Sequence, residues 1–391
     1  MKRIISIVLI LGAVLVAQDL DRMFVADQSM LASTTVFDSA SLDSFVNAWM
    51  AENHMPGLSA CFIKGDLIVW SEYSGYASIE EDREICDSTM FIIASISKTI
   101  TATAIMQLYD QGEFLLDDNV NDYLPPNLQV VNPDFPTIPI SFRQLLTHTS
   151  SLAGNDILNH PSYLMDSPIS LFEFMLGYLT PGGEYEPAGT AYSSFEPGSS
   201  FEYSDAGLAL VAILVSQITD TSFDSYCHEN IFTELGMDHT AWFYADIDTE
   251  MVAMPYQYLN NSYTPLGLYH HPFYPSGHLK TTPRDLANFM KAFMNYGQLD
   301  GIHLLDSTTV AMMSSLQSEI SFPWYGITAD LGFVWWLFND QVNDHLPEFS
   351  FASHPGNMDG VATFIAYTLK PEEKYGVILL TNQSNWQPLS E

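Results

Sequence analysis

Residues 90–112, MFIIASISKTITATAIMQLYDQG, decide how the rest of the chain is read. After Thr99 the run is apolar or small almost all round, which marks a helix buried in a protein interior rather than one lying on a surface. Its head carries Ser95, Ser97 and Lys98, and Gly112 is a natural stop. If the helix opens at Ser97 or just before it, Lys98 lies about one turn beyond Ser95, and hydroxyl and amine share one face. A serine hydroxyl is a poor nucleophile until a base takes its proton, and a buried amine can do so because loss of water disfavours its charged form. The same residues also read as a polar helix start with a snorkelling lysine, so the pair needs support from elsewhere.

Working outward toward the N-terminus, Leu42, Phe45, Val46, Trp49 and Met50 fall at helical spacing, and Pro56-Gly57 closes that segment. LSACFI (58–63) and LIVWSEY (67–73), separated by Lys64-Gly65-Asp66, read as a hairpin. Residues 1–17, MKRIISIVLILGAVLVA, have Lys2 and Arg3, an apolar run and a small residue at Ala17. That is the anatomy of a secretory signal peptide, too short for a comfortable membrane span, so an exported protein is expected, periplasmic or extracellular. An uncleaved N-terminal anchor is the alternative. Residues 18–38 read as a poorly structured lead-in.

Toward the C-terminus the character changes to helices joined by long loops. Ser141 and Gln144 form a capping box before FRQLLTH, and AGLALVAILVSQI (206–218) reads as a second buried helix. The loop-rich stretch 150–200 is long enough to build a binding site. Thr282-Pro283 with Asp285 starts an amphipathic helix ended by Gly297. LGFVWWLF (331–338), VATFIAYTL (361–369) and YGVILLTN (375–382) then read as strands, with Lys370-Pro371-Glu372-Glu373 turning between the last two. Strands at both ends around a helical block predict an α+β fold. One antiparallel sheet, from about 39–112 and 300–391, carries an inserted, mainly helical part at about 113–299. A cleft is expected between the two.

The chain has 391 residues, 47% of them hydrophobic, so it can bury a large core. With 12 basic against 47 acidic residues its net charge is −35, which argues against nucleic acid or an anionic membrane as partner. Cys61, Cys86 and Cys227 form no CxxC. A Cys61–Cys86 disulfide is compatible with export and would leave one thiol over. His270-His271 has no metal-ligand spacing around it. His148 in THTS reads as a structural residue at a helix end.

SISK (95–98), FEPGSSFEYSDAG (195–207) and SHPGN (353–357) together resemble the three motifs of the serine β-lactamase and penicillin-binding protein superfamily. LLDDNVNDYLP (115–125), ISFRQLLTHTSSL (140–152), IFTELGM (231–237), PSGHLKTTPRDLANFM (275–290) and YGVILLTN look like its class C β-lactamase and esterase branch. The likeness runs from about Ser41 to Asn382. It implies Ser95 as the acylated nucleophile, Lys98 as its proton partner and Tyr203 as a relay to the leaving group and the deacylating water. It also implies His354 and Gly356 on the strand walling the cleft, and an oxyanion hole from the backbone N–H groups of Ser95 and Asn357. No metal or organic cofactor is implied.

Two positions depart from a typical β-lactamase. Asp205 stands where Asn is usual, and His354 where the third motif usually has Lys. A carboxylate beside the pair would favour charged Lys98 and disfavour ionised Tyr203, unless Asp205 turns away as the cap of the following helix. Either way the cleft offers little to a substrate carboxylate. Neutral acyl esters are the expected small-molecule substrates, with weak β-lactam turnover at most. A D-amino-acid peptidase or D-Ala-D-Ala carboxypeptidase, and an inert binding protein of the same fold, are the alternatives. The chain ends soon after YGVILLTN, and SNWQPLSE is too short for the C-terminal helix such proteins add. The sequence is therefore a fragment, or that sheet face is covered otherwise.

Overall fold

The apolar segments at the two ends of the chain meet in one sheet. The computed structural model describes residues 39–153, 162–186, 191–324, 327–338, 350–370 and 374–384. The N-terminal segment 1–38, read above as signal peptide and lead-in, lies outside them. So do residues 371–373 of the expected turn and most of the C-terminal tail, 385–391.

Helix α1 (Ser39–Asn53) leads into the hairpin of β1 (Gly57–Lys64) and β2 (Leu67–Ser78), edged by a short β3 (Arg83–Glu84). Helices α2 (Ser97–Asp110), α3 (Phe142–Leu146), α4 (Leu171–Leu179), α5 (Asp205–Thr219) and α6 (Pro283–Met294) follow. The chain then returns to strands: β4 (Ser318–Trp324), β5 (Ile327–Leu331), β6 (Trp336–Phe338), β7 (Phe351–Met358), β8 (Val361–Thr368) and β9 (Tyr375–Thr381). Among the described residues these nine strands make one sheet in the order β4-β5-β6-β7-β8-β9-β1-β2-β3, antiparallel at every pairing. The fold is therefore α+β, with an antiparallel sheet completed by both ends of the chain. β1 joins the two halves, with Cys61 opposite Ile378 of β9 and Ser71 of β2. Lying between two neighbours and under helices, it is buried along nearly its whole length, so its sequence lacks polar alternation.

Three sequence expectations need adjustment. LGFVWWLF is two strands, not one: β5 ends at Leu331, and β6 begins at Trp336 after a turn closed by Gly332 N–H on Trp335 O at 2.9 Å. Val334 there takes a left-handed φ of 59°, and the apolar residues on both sides hide the break. Helix α6, grouped above with the helical block, packs on the sheet, with Met290 and Met294 over Gly376 of β9. All three cysteines are free thiols; Cys61 is buried in β1 and Cys86 is exposed. The Ser141–Gln144 capping box forms as expected, and Thr282 caps α6 by accepting from Asp285 N–H.

The core of the helical part is α2 packed against α5. Both are built mostly of apolar or small residues, and most of each is buried. This contact sets the N-terminal ends of the two helices, and the polar residues at them, side by side.

Candidate active site

Ser95 lies in a single 3₁₀ turn, Ala94–Ile96, that runs straight into α2. Ala94 is forced into the left-handed region at φ 48°, a conformation that costs a non-glycine residue about 1 kcal/mol and needs outside support. The support comes from both sides. Ile93 N–H donates to Leu279 O at 2.9 Å, and Thr363 Oγ1 on β8 donates to Ile93 O at 2.8 Å. Gly356 on β7 presses against the same turn, where a Cβ would collide with the Ile93 carbonyl and Thr363 Oγ1.

Lys98, fully buried, reaches back from the first turn of α2. Its Nζ donates to Ser95 Oγ at 3.0 Å and to Ser276 O at 2.6 Å, and it pairs with Asp205 Oδ1 at 2.6 Å. Three acceptors match the three donors of an ammonium and exceed what a neutral amine offers. Burial pulls the Lys98 pKa down, but the Asp205 charge, with Tyr203, lifts it above its ordinary value. Lys98 is therefore a cation at rest. Asp205 faces the pair and does not cap α5. Ser204 takes that role, its hydroxyl accepting from Gly207 N–H at 3.0 Å.

Tyr203 completes the group. Its ring lies with the centroid 4.8 Å from Lys98 Nζ, and its phenol feels the charge of Lys98 and the Ser95 hydroxyl. Burial first, then the Asp205 carboxylate, push its phenol up against the opposing pull of Lys98, so Tyr203 is a neutral phenol. Its other neighbours are aromatic: Trp336 at 6.4 Å, His354 at 6.5 Å and His148 at 4.5 Å between ring centroids.

His354 is fully buried on β7, on the same face as Gly356. Burial and the Lys98 charge push it down to about 3. Its Nδ1 lies 2.7 Å from Pro355 O, and since a carbonyl only accepts, the proton sits on Nδ1. Nε2 is then a lone pair, so His354 brings no cation to the cleft. Asn357, next along β7 opposite Ala362, is exposed.

The structure thus brings Ser95, Lys98, Tyr203, Asp205, His354 and Gly356 together. Sequence reasoning missed the Ser276 carbonyl, which is main chain and carries no residue signature; the run PSGHLKTT was its only pointer. His148, read as structural, lies with its ring against Tyr203. His270 and His271 are buried elsewhere; His270 Nε2–H donates to Trp242 O at 3.2 Å. Chemically, the site holds a hydroxyl between a fixed cation and a neutral phenol, which suits acyl transfer to oxygen with protons passed through Tyr203.

Comparison with known proteins agrees with this arrangement. Residues 42–391 match the family model described as Beta-lactamase. The chain is 24% identical over 348 residues to "Protein flp" of Staphylococcus aureus (strain MRSA252), covering 87% of this chain and 62% of that protein. It spans about three fifths of the length of the first such curated relatives. The octameric penicillin-binding protein homologue from Pyrococcus abyssi superposes with a TM-score of 0.74 at 24% identity, covering 90% of this chain and 75% of that one. EstCE1, described as a hydrolase with promiscuous acyltransferase activity, gives a TM-score of 0.68 at 18% identity, covering 88% and 94%. At these identities the structural likenesses show the shared fold alone.

Proposed function

The chain belongs to the beta-lactamase family, and from that premise we propose that it is a serine hydrolase that forms an acyl-enzyme on Ser95 and acts on small neutral acyl esters. The observation that carries the reading is the fully engaged Lys98 ammonium, 3.0 Å from Ser95 Oγ and neutralised by Asp205. Because Ser95 Oγ accepts from Lys98, its own hydrogen is free to go to Tyr203. As Oγ bonds to the ester carbonyl carbon, the Ser95 proton passes to the Tyr203 oxygen and the phenolic proton passes to the departing alkoxide. Alcohol leaves and no phenolate accumulates. Deacylation runs the same path in reverse: water attacks the acyl carbon, its proton goes to Tyr203, and the Tyr203 proton returns to Ser95. Throughout, the Lys98 charge offsets the negative charge developing on the two oxygens.

The substrate preference follows from charge. A β-lactam or D-Ala-D-Ala peptide brings a carboxylate that needs a cation or donor, whereas here Lys98 is paired with Asp205 and His354 is neutral. EstCE1, a hydrolase by its description, is compatible with this reading. The test is to compare a short-chain p-nitrophenyl ester with a chromogenic cephalosporin, and to weigh the peptide carrying Ser95 after each. Ester turnover about 10²-fold faster, with acyl mass on that peptide, is expected. Faster cephalosporin turnover would reverse the ranking, and absence of acyl mass with any donor would favour an inert binding protein.

Asp205→Asn supplies a second check. Removing the carboxylate takes away a cause that raises both Lys98 and Tyr203, so both pKa values fall. The alkaline limb of the pH–rate profile is expected to move to lower pH. The uncovered Lys98 charge should also improve kcat/KM for carboxylate-bearing donors about tenfold, in line with one charge-assisted contact. Matched ester pairs with and without a carboxylate, assayed across pH, read both effects.

A further inference from the structure

Resting on the catalytic reading above, we propose that His148 is a positioning residue that aims Tyr203 and Asp205 at the Ser95–Lys98 pair. One histidine grips four consecutive residues ahead of α5. Its carbonyl accepts from Glu202 N–H at 2.9 Å, and its Nδ1 accepts from Ser204 N–H at 3.1 Å. Its ring lies on Tyr203 at 4.5 Å with a 33° tilt, and meets the Phe201 ring edge-on at 6.0 Å. The side chain is buried, and its backbone is held at φ 55°, in the left-handed region. Positive φ is uncommon for a residue with a side chain, and histidine is among the types that adopt it most readily, so the site fits this residue.

The grip is specific to a neutral imidazole. Nδ1 must carry a lone pair to accept from Ser204 N–H, so the ring proton sits on Nε2. Burial, then the Lys98 and His354 surroundings, keep the ring neutral. Ser204 is the cap of α5, and Asp205 is its first residue. Holding Ser204 N–H therefore sets the direction in which Asp205 leaves the helix end, while the ring face sets the tilt of the phenol. Among the described residues no hydrogen bond or ring contact joins His148 to Ser95; it acts through Tyr203 and the Ser204–Asp205 helix end.

The test separates this role from mere stability. His148→Phe keeps a ring over Tyr203 but loses the acceptor. It is expected to lower kcat for a short-chain ester about thirtyfold, with KM within about threefold. His148→Asn keeps an acceptor oxygen and tolerates the positive φ, and should recover about tenfold of that loss. His148→Gly, which suits the same φ, leaves a ring-shaped hole, and added imidazole should raise its rate about tenfold. Imidazole rescue and recovery by Asn are not expected of a residue that only stabilises the fold. Absence of acyl mass on Ser95 in the wild type overturns both this assignment and the catalytic reading. With acyl mass present, folded His148→Phe and His148→Gly turning over within threefold of wild type, or no recovery by either Asn or imidazole, overturns this assignment alone.

Discussion

Lys98→Met is expected to lower the rate of Ser95 acylation by about 10³- to 10⁴-fold, the largest loss foreseen for a single side chain of the site outside Ser95 itself. Two physical effects combine. The cation that offsets charge on the Ser95 and Tyr203 oxygens is gone, and the phenol, which Lys98 holds down against burial and Asp205, rises further. The substitution is close in shape, so Ser95 remains in place while its electrostatics change. Stability should fall as well. Asp205, 8% exposed, is left as a buried carboxylate without its partner, and breaking a buried pair from one side costs roughly 3–5 kcal/mol. The double variant Lys98→Met/Asp205→Asn removes the stranded charge. It is expected to regain most of that stability in urea titrations while staying as inactive as Lys98→Met. A double variant that recovered both would show that the loss had been one of folding, and a Lys98→Met enzyme acylating within tenfold of wild type would remove Lys98 from the chemistry.

Which of these features were legible in the sequence follows from what kind of atom carries them. Ser95 and Lys98 are three residues apart, across a 3₁₀ turn that runs into α2, so local geometry alone predicted that they meet. The sheet was legible at β1, β2, β8 and β9, where apolar runs are bounded by turn residues. It was illegible at β4 and β5, which carry polar residues and Pro323, and at the turn inside LGFVWWLF, where Val334 gives no warning of its positive φ. Asp205 was ambiguous because one carboxylate in that position serves equally well as a cap or as an ion-pair partner. Its neighbour Ser204 took the cap and left Asp205 to Lys98, 107 residues away in sequence. The contacts of His148 with the segment ahead of α5 were hidden because they rest on a backbone conformation and on bonds to main-chain atoms of residues 202 and 204, neither of which leaves a mark in side-chain chemistry. The Ser276 carbonyl was hidden for the same reason.

Gly356→Ala carries the next largest expected effect, although it adds only a methyl group away from the proton path. β7 and the Ala94 turn lie close enough that no Cβ fits between them: the added carbon would run into the Ile93 carbonyl and Thr363 Oγ1. Those two atoms are themselves joined by the 2.8 Å hydrogen bond that ties the sheet to the turn. Neither obstacle is the loose end of a flexible side chain, so the strand must step back or the turn must move. Ala94, already at φ 48°, has little freedom to absorb the shift without carrying Ser95 with it. A displacement of about 1 Å at a nucleophile typically costs about 10²-fold in rate, whereas overpacking of this kind costs about 1–3 kcal/mol in stability. At a temperature well below its melting point, Gly356→Ala is therefore expected to be folded, with kcat for the short-chain ester down about 10²-fold. Thr363→Ala in the same chain removes one obstacle together with the tie, so it should recover part of the stability but little of the rate. Turnover within threefold of wild type in Gly356→Ala would mean that β7 and the nucleophile turn are not held in register, and that the sheet is a wall rather than the part that aims Ser95.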